Sequence, residues 1–151
     1  MSRYMNLIGQ NAKRASLKKI TTKKKNKILK RYASLLDKER NIIIKANIKD
    51  IKFALKKGLK NNLIDRLTIN HKKLDSIRKS INKITKLKDP VDNTLEKWSR
   101  PNGLEIKRVS IPIGVIGVIY ESRPNVTSDV ASLCFKSGNA VILKGGSEAI
   151  N

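Results

Sequence analysis

The sequence predicts an α/β protein, in which helices fill the first ninety residues and are followed by a β-hairpin and the start of a doubly wound parallel sheet. Three observations support this class. Apolar residues recur at helical spacing between residues 28 and 87. Two short apolar runs rich in β-branched residues, 111–120 and 140–143, come later. They enclose a further helical stripe, and a strand–helix–strand order is typical of a nucleotide-binding sheet.

The positive charge of the chain lies almost wholly in the helical part. The 151 residues have a formal net charge of +22, and residues 1–100 hold 29 Lys and Arg against 8 Asp and Glu. A basic surface can bind nucleic acid. However, 25 of the 34 basic residues are Lys, which suits solvated helix faces, and only six residues are aromatic and able to stack on bases. Nucleic-acid binding is therefore not expected, and a basic helical nucleic-acid-binding protein stays as the alternative.

Several classes of protein are excluded by composition. No run of 18 apolar residues could cross a membrane. Residues 1–10 lack the apolar segment of a secretory signal. The single cysteine, Cys134, excludes an internal disulfide framework and a cysteine-rich zinc site. We therefore expect a cytoplasmic protein with reduced thiols, no bound metal and no membrane partner.

Three stripes of apolar residues predict helices within residues 1–90. Gly58 is expected to end the second helix. Asp89-Pro90 is expected to end the third, because the residue before a proline disfavours the α region. Thr68 or Asn70 is available as the N-cap of that third helix. The stripes run through Ile28–Leu36, Ile42–Leu59 and Leu74–Leu87.

Residues 91–110 predict a β-hairpin. Leu95–Ser99 and Leu104–Val109 flank Asn102-Gly103, and Asn-Gly between two such runs is a strong hairpin signal. Apolar and polar residues alternate in the second run until Arg108-Val109 breaks the phase, which predicts a bulge or bend there. Trp98 is expected to be a packing residue on this hairpin.

The strands predicted at 111–120 and 140–143 are expected to be buried on both faces of a parallel sheet. Between them, a stripe from Val126 to Cys134 predicts a helix that stops at Ser137-Gly138-Asn139. The charge of Asp129 suits the first turn of that helix. Cys134 lies within the apolar stripe, which predicts a buried, inert thiol. His71 has no histidine or cysteine partner nearby and is expected at the surface.

Two polar loops follow the ends of the two predicted strands, where open parallel sheets bind their ligands. The first is Glu121–Asn125. Its Arg123 could hold a carboxylate or phosphate, or it could brace the loop. The second is Lys144–Glu148, which joins two glycines to the expected start of a helix. Free amide groups there, with the charge of Lys144, favour a phosphate or a ribose.

These same stretches resemble a known family. Residues 111–127 and 132–149 closely resemble the signature stretches of the γ-glutamyl phosphate reductase family, within the aldehyde dehydrogenase superfamily. Weaker matches occur upstream and in the same order, so the resemblance covers most of the chain. These weaker matches are Ala46–Asp50, Asp65–Leu67, Asp89–Val91 and Arg100–Leu104.

The resemblance implies an activity and a set of site residues. Family members use NADPH to reduce L-glutamate 5-phosphate to L-glutamate 5-semialdehyde with release of phosphate, in proline biosynthesis. A thiolate in a second domain attacks the acyl phosphate, so no residue of this chain is assigned as catalytic. Superfamily relatives place an oxyanion-stabilising Asn in roughly the first loop, which here is a residue shorter, so Asn125 is not assigned that role. By resemblance, Lys144, Gly145, Gly146, Ser147 and Glu148 would bind the cofactor, and Ser122, Arg123 and Asn125 would bind substrate.

The resemblance also implies an incomplete aldehyde dehydrogenase-like fold. Family members are several hundred residues long, so we expect an N-terminal fragment that lacks the catalytic domain and is inactive by itself. The expected divisions are residues 1–90 as an N-terminal helical region, 91–110 as a hairpin that could mediate oligomerisation, and 111–151 as the first βαβ part of an NADP-binding domain. The full-length protein is expected to form a homo-oligomer, with glutamate 5-kinase as a candidate channelling partner.

Overall fold

The computed structural model describes residues 2–121 and 123–151 and has the predicted α/β character. Within these residues, six helices accompany two separate two-stranded sheets. The helices are α1 (Arg3–Ser16), α2 (Thr22–Lys38), α3 (Arg40–Lys56), α4 (Asn61–Leu67), α5 (His71–Lys86) and α6 (Pro124–Lys136). The strands are β1 (Thr94–Ser99), β2 (Glu105–Val109), β3 (Val115–Ile119) and β4 (Ala140–Lys144).

The three predicted stripes form α2, α3 and α5. Of the two N-cap candidates for α5, Asn70 takes this role, and its side chain accepts a hydrogen bond from the Lys73 amide at 2.8 Å. Gly58 follows α3 with a φ of +70°, a conformation that glycine adopts without strain. α5 ends at Lys86, earlier than the predicted stop at Asp89-Pro90, because Leu87 is already extended.

The core joins the helical region to the residues that follow the hairpin. α2 contributes Leu29 and Ala33, and Phe135 from α6 packs against the same cluster. The apolar face of α5 repeats at the three- and four-residue spacing of a helix stripe, and Ile81 at its centre is 0% exposed. The buried residues of α5 in this cluster are Leu74, Ile77, Ile81 and Ile84.

The hairpin forms as predicted, but it is more exposed than expected. β1 and β2 pair antiparallel, and Gly103 takes a φ of +83° in the turn. The bulge lies across from the predicted position, since Leu95 is the extra residue opposite Arg108 and Val109. Trp98 is 38% exposed and lies directly opposite Ile106 of β2, and its role as a packing residue of the hairpin stays a prediction. The residues of β1 are exposed, since its sheet contains β2 and no other strand among the described residues.

β3 and β4 pair in parallel, which confirms the predicted strand–helix–strand unit. Burial of both strand faces was wrong, since Ile119 is 83% exposed. In this two-stranded sheet both strands are edge strands. The helices α1 and α6 cover part of its surface and leave the rest exposed. No helix in the described part of the chain is both long and apolar enough to cross a bilayer.

The two polar loops differ from the prediction in length and conformation. α6 begins at Pro124, where the fixed φ of proline suits a first helical position. Asn125 is therefore helical rather than part of the first loop, and Asp129 lies beyond the first turn. After β4, residues 145–151 form a loop with a turn at 147–148. The helix N-terminus expected at Lys144–Glu148 is absent from this described segment.

Candidate functional site

A cleft of about 400 Å³ opens at the carboxyl ends of β3 and β4. Tyr120, Glu121 and Arg123 line it from the loop after β3, and Gly145 and Gly146 line it from the turn after β4. The structure thus brings together the two loops that the sequence singled out. α3 closes a third side through a set of polar and apolar side chains, which are Ile42, Ile43, Ala46, Asn47 and Asp50.

The residues predicted to bind a cofactor divide between the cleft and its outer rim. Gly145 and Gly146 line the cleft, and the other three are not among its lining residues. Lys144 is exposed, and its ammonium lies 3.4 Å from the carbonyl of Gly145. Ser147 is exposed as well. The carboxylate of Glu148 fills the space where a Cβ on Gly146 would lie.

The turn after β4 packs against the loop after β3 at Gly145 and Tyr120. A Cβ on Gly145 would lie 3.4 Å from the hydroxyl of Tyr120. That hydroxyl also lies 2.6 Å from the hydroxyl of Thr127 in α6. Tyr120 therefore contacts both the turn after β4 and helix α6.

Of the residues predicted to bind substrate, Arg123 lines this cleft and Asn125 lines a neighbouring depression. Arg123 is exposed and precedes α6, and Asn125 lies in the first turn of that helix. Ser122 lies outside the described residues. The Arg66 guanidinium of α4 is 3.9 Å from the carboxylate of Glu121. A basic side chain from the helical region therefore reaches the same loop, which the sequence did not indicate.

Asp50 on α3 is a buried carboxylate that sequence reasoning missed. Its Oδ1 accepts hydrogen bonds from the amides of Ile150 and Asn151 at 3.3 and 3.1 Å, and from the Asn151 side chain at 2.7 Å. These bonds tie the segment after β4 to α3. In the sequence, Asp50 lies between lysines at positions 49 and 52, a setting that is typical of a solvated helix face.

Asn47 lies one helical turn before Asp50 and holds the other side of the cleft. Its Nδ2 donates to the carbonyl of Leu67 at 2.9 Å, and its Oδ1 accepts from the amide of Ile69 at 2.6 Å. The buried side-chain amide of Asn47 therefore satisfies two backbone groups that flank Thr68, the carbonyl of Leu67 and the amide of Ile69. One face of α3 fixes both the connection from α4 to α5 and the turn after β4.

Neither Cys134 nor His71 offers catalytic chemistry at this cleft. Cys134 is 7% exposed within α6, and burial raises the pKa of its thiol. His71 lies exposed at the start of α5, as predicted. No three His, Cys, Asp or Glu side chains of the described residues cluster in a way that could hold a metal ion.

Burial predicts that the Cys134 thiol resists alkylation in the folded chain. At pH 8, iodoacetamide should modify Cys134 slowly in buffer and rapidly in denaturing urea, because only the unfolded thiol ionises freely and meets the reagent. Intact-mass spectrometry measures both rates. Equal rates in the two solvents would contradict the buried, inert thiol.

Sequence comparison identifies relatives that carry the name γ-glutamyl phosphate reductase. The protein from Thermodesulfovibrio yellowstonii is 50% identical over 133 residues, which are 88% of this chain and 32% of the relative. The protein from Nitratiruptor sp. is 51% identical over 140 residues, which are 93% of this chain and 34% of the relative. No protein-family profile matches the chain. The chain therefore spans about a third of the length of these curated relatives.

Two crystal structures of proteins with this name have the same fold. The structure from Thermotoga maritima has a TM-score of 0.89 at 44% identity, and the match covers 93% of this chain and 34% of that one. The structure from Saccharomyces cerevisiae has a TM-score of 0.93 at 35% identity, and covers 100% of this chain and 39% of that one. The predicted fold class and the resemblance stated from residues 111–127 and 132–149 are both confirmed.

Proposed function

We propose that this chain forms part of a γ-glutamyl phosphate reductase. Most of the chain matches these enzymes, and the match covers about a third of the length of each of them. The reaction would be the NADPH-dependent reduction of L-glutamate 5-phosphate to L-glutamate 5-semialdehyde, with phosphate released, in proline biosynthesis. One observation carries the proposal: both stretches that resemble the family signature contribute residues to the cleft at the ends of β3 and β4, among them Tyr120 and Arg123 from the first and Gly145 and Gly146 from the second.

The residues at the turn after β4 have the chemistry to hold a dinucleotide. Gly145 and Gly146 present backbone to the cleft without a side chain, which permits close approach of a ligand. The exposed ammonium of Lys144 suits a phosphate, and the hydroxyl of Ser147 and the carboxylate of Glu148 suit the hydroxyls of a ribose. When bound, NADPH would supply the hydride that reduces the acyl group.

The chain's own contribution to the reaction would be binding and orientation. Arg123 and Asn125 offer a guanidinium and an amide at the start of α6, and these groups hold anionic oxygens well. The sequence has a single cysteine, Cys134, and its thiol is buried. A thiolate nucleophile for the acyl phosphate therefore has no candidate among the described residues, and the 151-residue chain by itself should not turn over.

A chimera tests this proposal. The matching third of the Thermotoga maritima reductase would be replaced by this chain, and NADP⁺ reduction would be followed in the presence of L-glutamate 5-semialdehyde and phosphate. We expect turnover from the chimera and none from the 151-residue chain. Within the chimera, Lys144→Ala should raise the KM for NADP⁺ about tenfold, as expected for a lost charge-assisted contact.

The hairpin residue Lys107 provides the matched control, since Lys107→Ala removes an equal charge away from the cleft. A chimera that folds but does not turn over would overturn the proposal. Turnover by the isolated chain would show that its role is not limited to binding and orientation.

The hairpin is the part of this chain that we propose for contacts between copies of the longer protein. The hairpin exposes large apolar side chains, which supports a role in forming a homo-oligomer of the longer protein; these are Leu95, Trp98, Leu104 and Val109. The glutamate 5-kinase partner and the division at residues 90 and 110 stay predictions. The alternative of a nucleic-acid-binding protein is not favoured by the relatives.

A further inference from the structure

The segment after β4, residues 145–151, is bonded to a buried side chain from a helix about a hundred positions earlier. Asp50 of α3 is 6% exposed. Its Oδ1 accepts hydrogen bonds from the consecutive amides of Ile150 and Asn151 and from the Asn151 side chain. No ion pair involves Asp50 among the described residues, so these N–H groups are what compensates its buried carboxylate.

The bonds to Asp50 complete the hydrogen bonding of the turn after β4. The amide of Ala149 donates to the carbonyl of Gly146 at 3.4 Å, which closes the turn on itself. The next two amides along the chain donate to Asp50 and to no other acceptor among the described residues. Three consecutive amides are thereby satisfied, one within the turn and two by α3.

This contact spans one side of the cleft at the ends of β3 and β4. Asp50 lines the cleft from α3, and Gly145 and Gly146 line it from the turn after β4. On its other side the turn lies against the loop after β3, where Gly145 is close to Tyr120. The turn is therefore held between Tyr120 and Asp50, and these two contacts set where its glycines lie in the cleft.

A turn that is ordered before binding holds a ligand more tightly, because the ligand does not have to order it. Two adjacent glycines lose much conformational freedom when they are fixed, so Gly145 and Gly146 need contacts from outside the turn. The bonds to Asp50 join a carboxylate to backbone N–H groups, and charge-assisted bonds of this kind are among the stronger ones in proteins.

We propose that Asp50 is a positioning residue for the cofactor, acting through the turn after β4 rather than through a contact of its own with the dinucleotide. The inference rests on the proposed function, because it assumes that Lys144–Glu148 binds NADPH. It gives α3, a helix of the N-terminal region, a part in a site whose predicted cofactor residues all follow β3. Loss of the Asp50 carboxylate should weaken binding of the dinucleotide and leave the chemical step nearly unchanged.

Hydrogen exchange in the 151-residue chain, followed by NMR, tests whether Asp50 holds the segment. In Asp50→Ala the amide of Ile150 should exchange at least about tenfold faster, and the amide of Ile81 in the core of α5 should be unchanged. Lys49→Ala is the matched control, since it lies at the preceding, exposed position of the same helix. Asp50→Asn keeps an acceptor oxygen and should retain more protection than Asp50→Ala. Unchanged exchange of Ile150 in Asp50→Ala would overturn the inference.

Calorimetric titration of the chimera with NADPH tests the effect on binding. Asp50→Ala should raise the Kd for NADPH about tenfold, and Asp50→Asn should recover part of this loss. In an active chimera, Asp50→Ala should raise the KM for NADP⁺ similarly and leave kcat and the KM for L-glutamate 5-semialdehyde within about twofold. Glu96→Ala removes an equal charge from the hairpin, away from the cleft, and should change none of these values.

These measurements separate the inference from the proposed function. Circular dichroism verifies that each variant is folded, and Asp50→Leu, which fills the site without an acceptor, replaces Asp50→Ala if that variant does not fold. Equal NADPH binding by wild type and the folded variant overturns the inference alone. A chimera that binds NADPH through Asp50 and does not turn over overturns the reductase assignment alone. A folded wild-type chimera that does not bind NADPH overturns both.

Discussion

Replacement of Lys25 by Met is expected to lower the free energy of unfolding by about 3–5 kcal/mol, a large share of what a domain of this size has. Lys25 is 3% exposed within α2. Its ammonium donates to both carboxylate oxygens of Asp89, at 3.1 and 2.9 Å. Removal of the cation leaves a mostly buried carboxylate without its counter-charge, and that is the costly step.

Urea denaturation followed by circular dichroism measures this loss. Lys24→Met is the matched control, since the neighbouring lysine is exposed and its replacement should change the unfolding free energy by less than about 0.5 kcal/mol. A double variant with Asp89→Asn should recover part of the loss, because the uncompensated charge is then gone. Unchanged stability of Lys25→Met would show that the pair contributes nothing to the fold.

The pH dependence of stability provides a second measurement on the same pair. Burial by itself would raise the pKa of the Asp89 carboxyl, but hydrogen bonds from Lys25, Thr22 and the Val91 amide outweigh it and hold that pKa below its usual value. A carboxyl with a lowered folded-state pKa stabilises the fold above its unfolded pKa of about 3.9, and this contribution is lost as the pH falls through the folded value. The stability difference between wild type and Lys25→Met should therefore shrink below about pH 4.

Local patterns in the sequence predicted those elements whose causes are local. The stripe of α5 and its Asn70 cap, the Asn102-Gly103 turn and the parallel pairing of β3 with β4 each follow from periodicity or turn chemistry within a short stretch. The predicted loops met at one cleft because parallel strands end at the same edge of their sheet. These features needed no knowledge of distant residues.

The features that the sequence did not predict depend on long-range contacts. Residues 145–151 have the composition of a helix start, yet the amides of Ile150 and Asn151 bond to Asp50, a hundred positions earlier in the chain. Asp129 has the appearance of a charge that favours a helix N-terminus, and only the packing of α5 against α6 shows that one of its oxygens is buried. Burial of strand faces likewise depends on neighbours that a local pattern does not specify.

Replacement of Asn47 by Leu is expected to lower the free energy of unfolding by roughly 2–4 kcal/mol and to loosen the connection from α4 to α5 beside the cleft. The Asn47 side chain is the partner of the Leu67 carbonyl and the Ile69 amide, and leucine can bond to neither. Each buried backbone group left unpaired costs about 1–3 kcal/mol. Because Arg66 immediately precedes Leu67, release of this connection should also move the Arg66 guanidinium, which lies 3.9 Å from the Glu121 carboxylate.

The Ile69 amide provides a local readout that global unfolding does not. In Asn47→Leu its hydrogen exchange should become much faster than that of core amides in α5, since the bond from Ile69 to the side chain is gone. Asn41→Leu, at an exposed position of the same helix, is the matched control. Unaltered Ile69 protection in Asn47→Leu would show that α3 does not hold this side of the site.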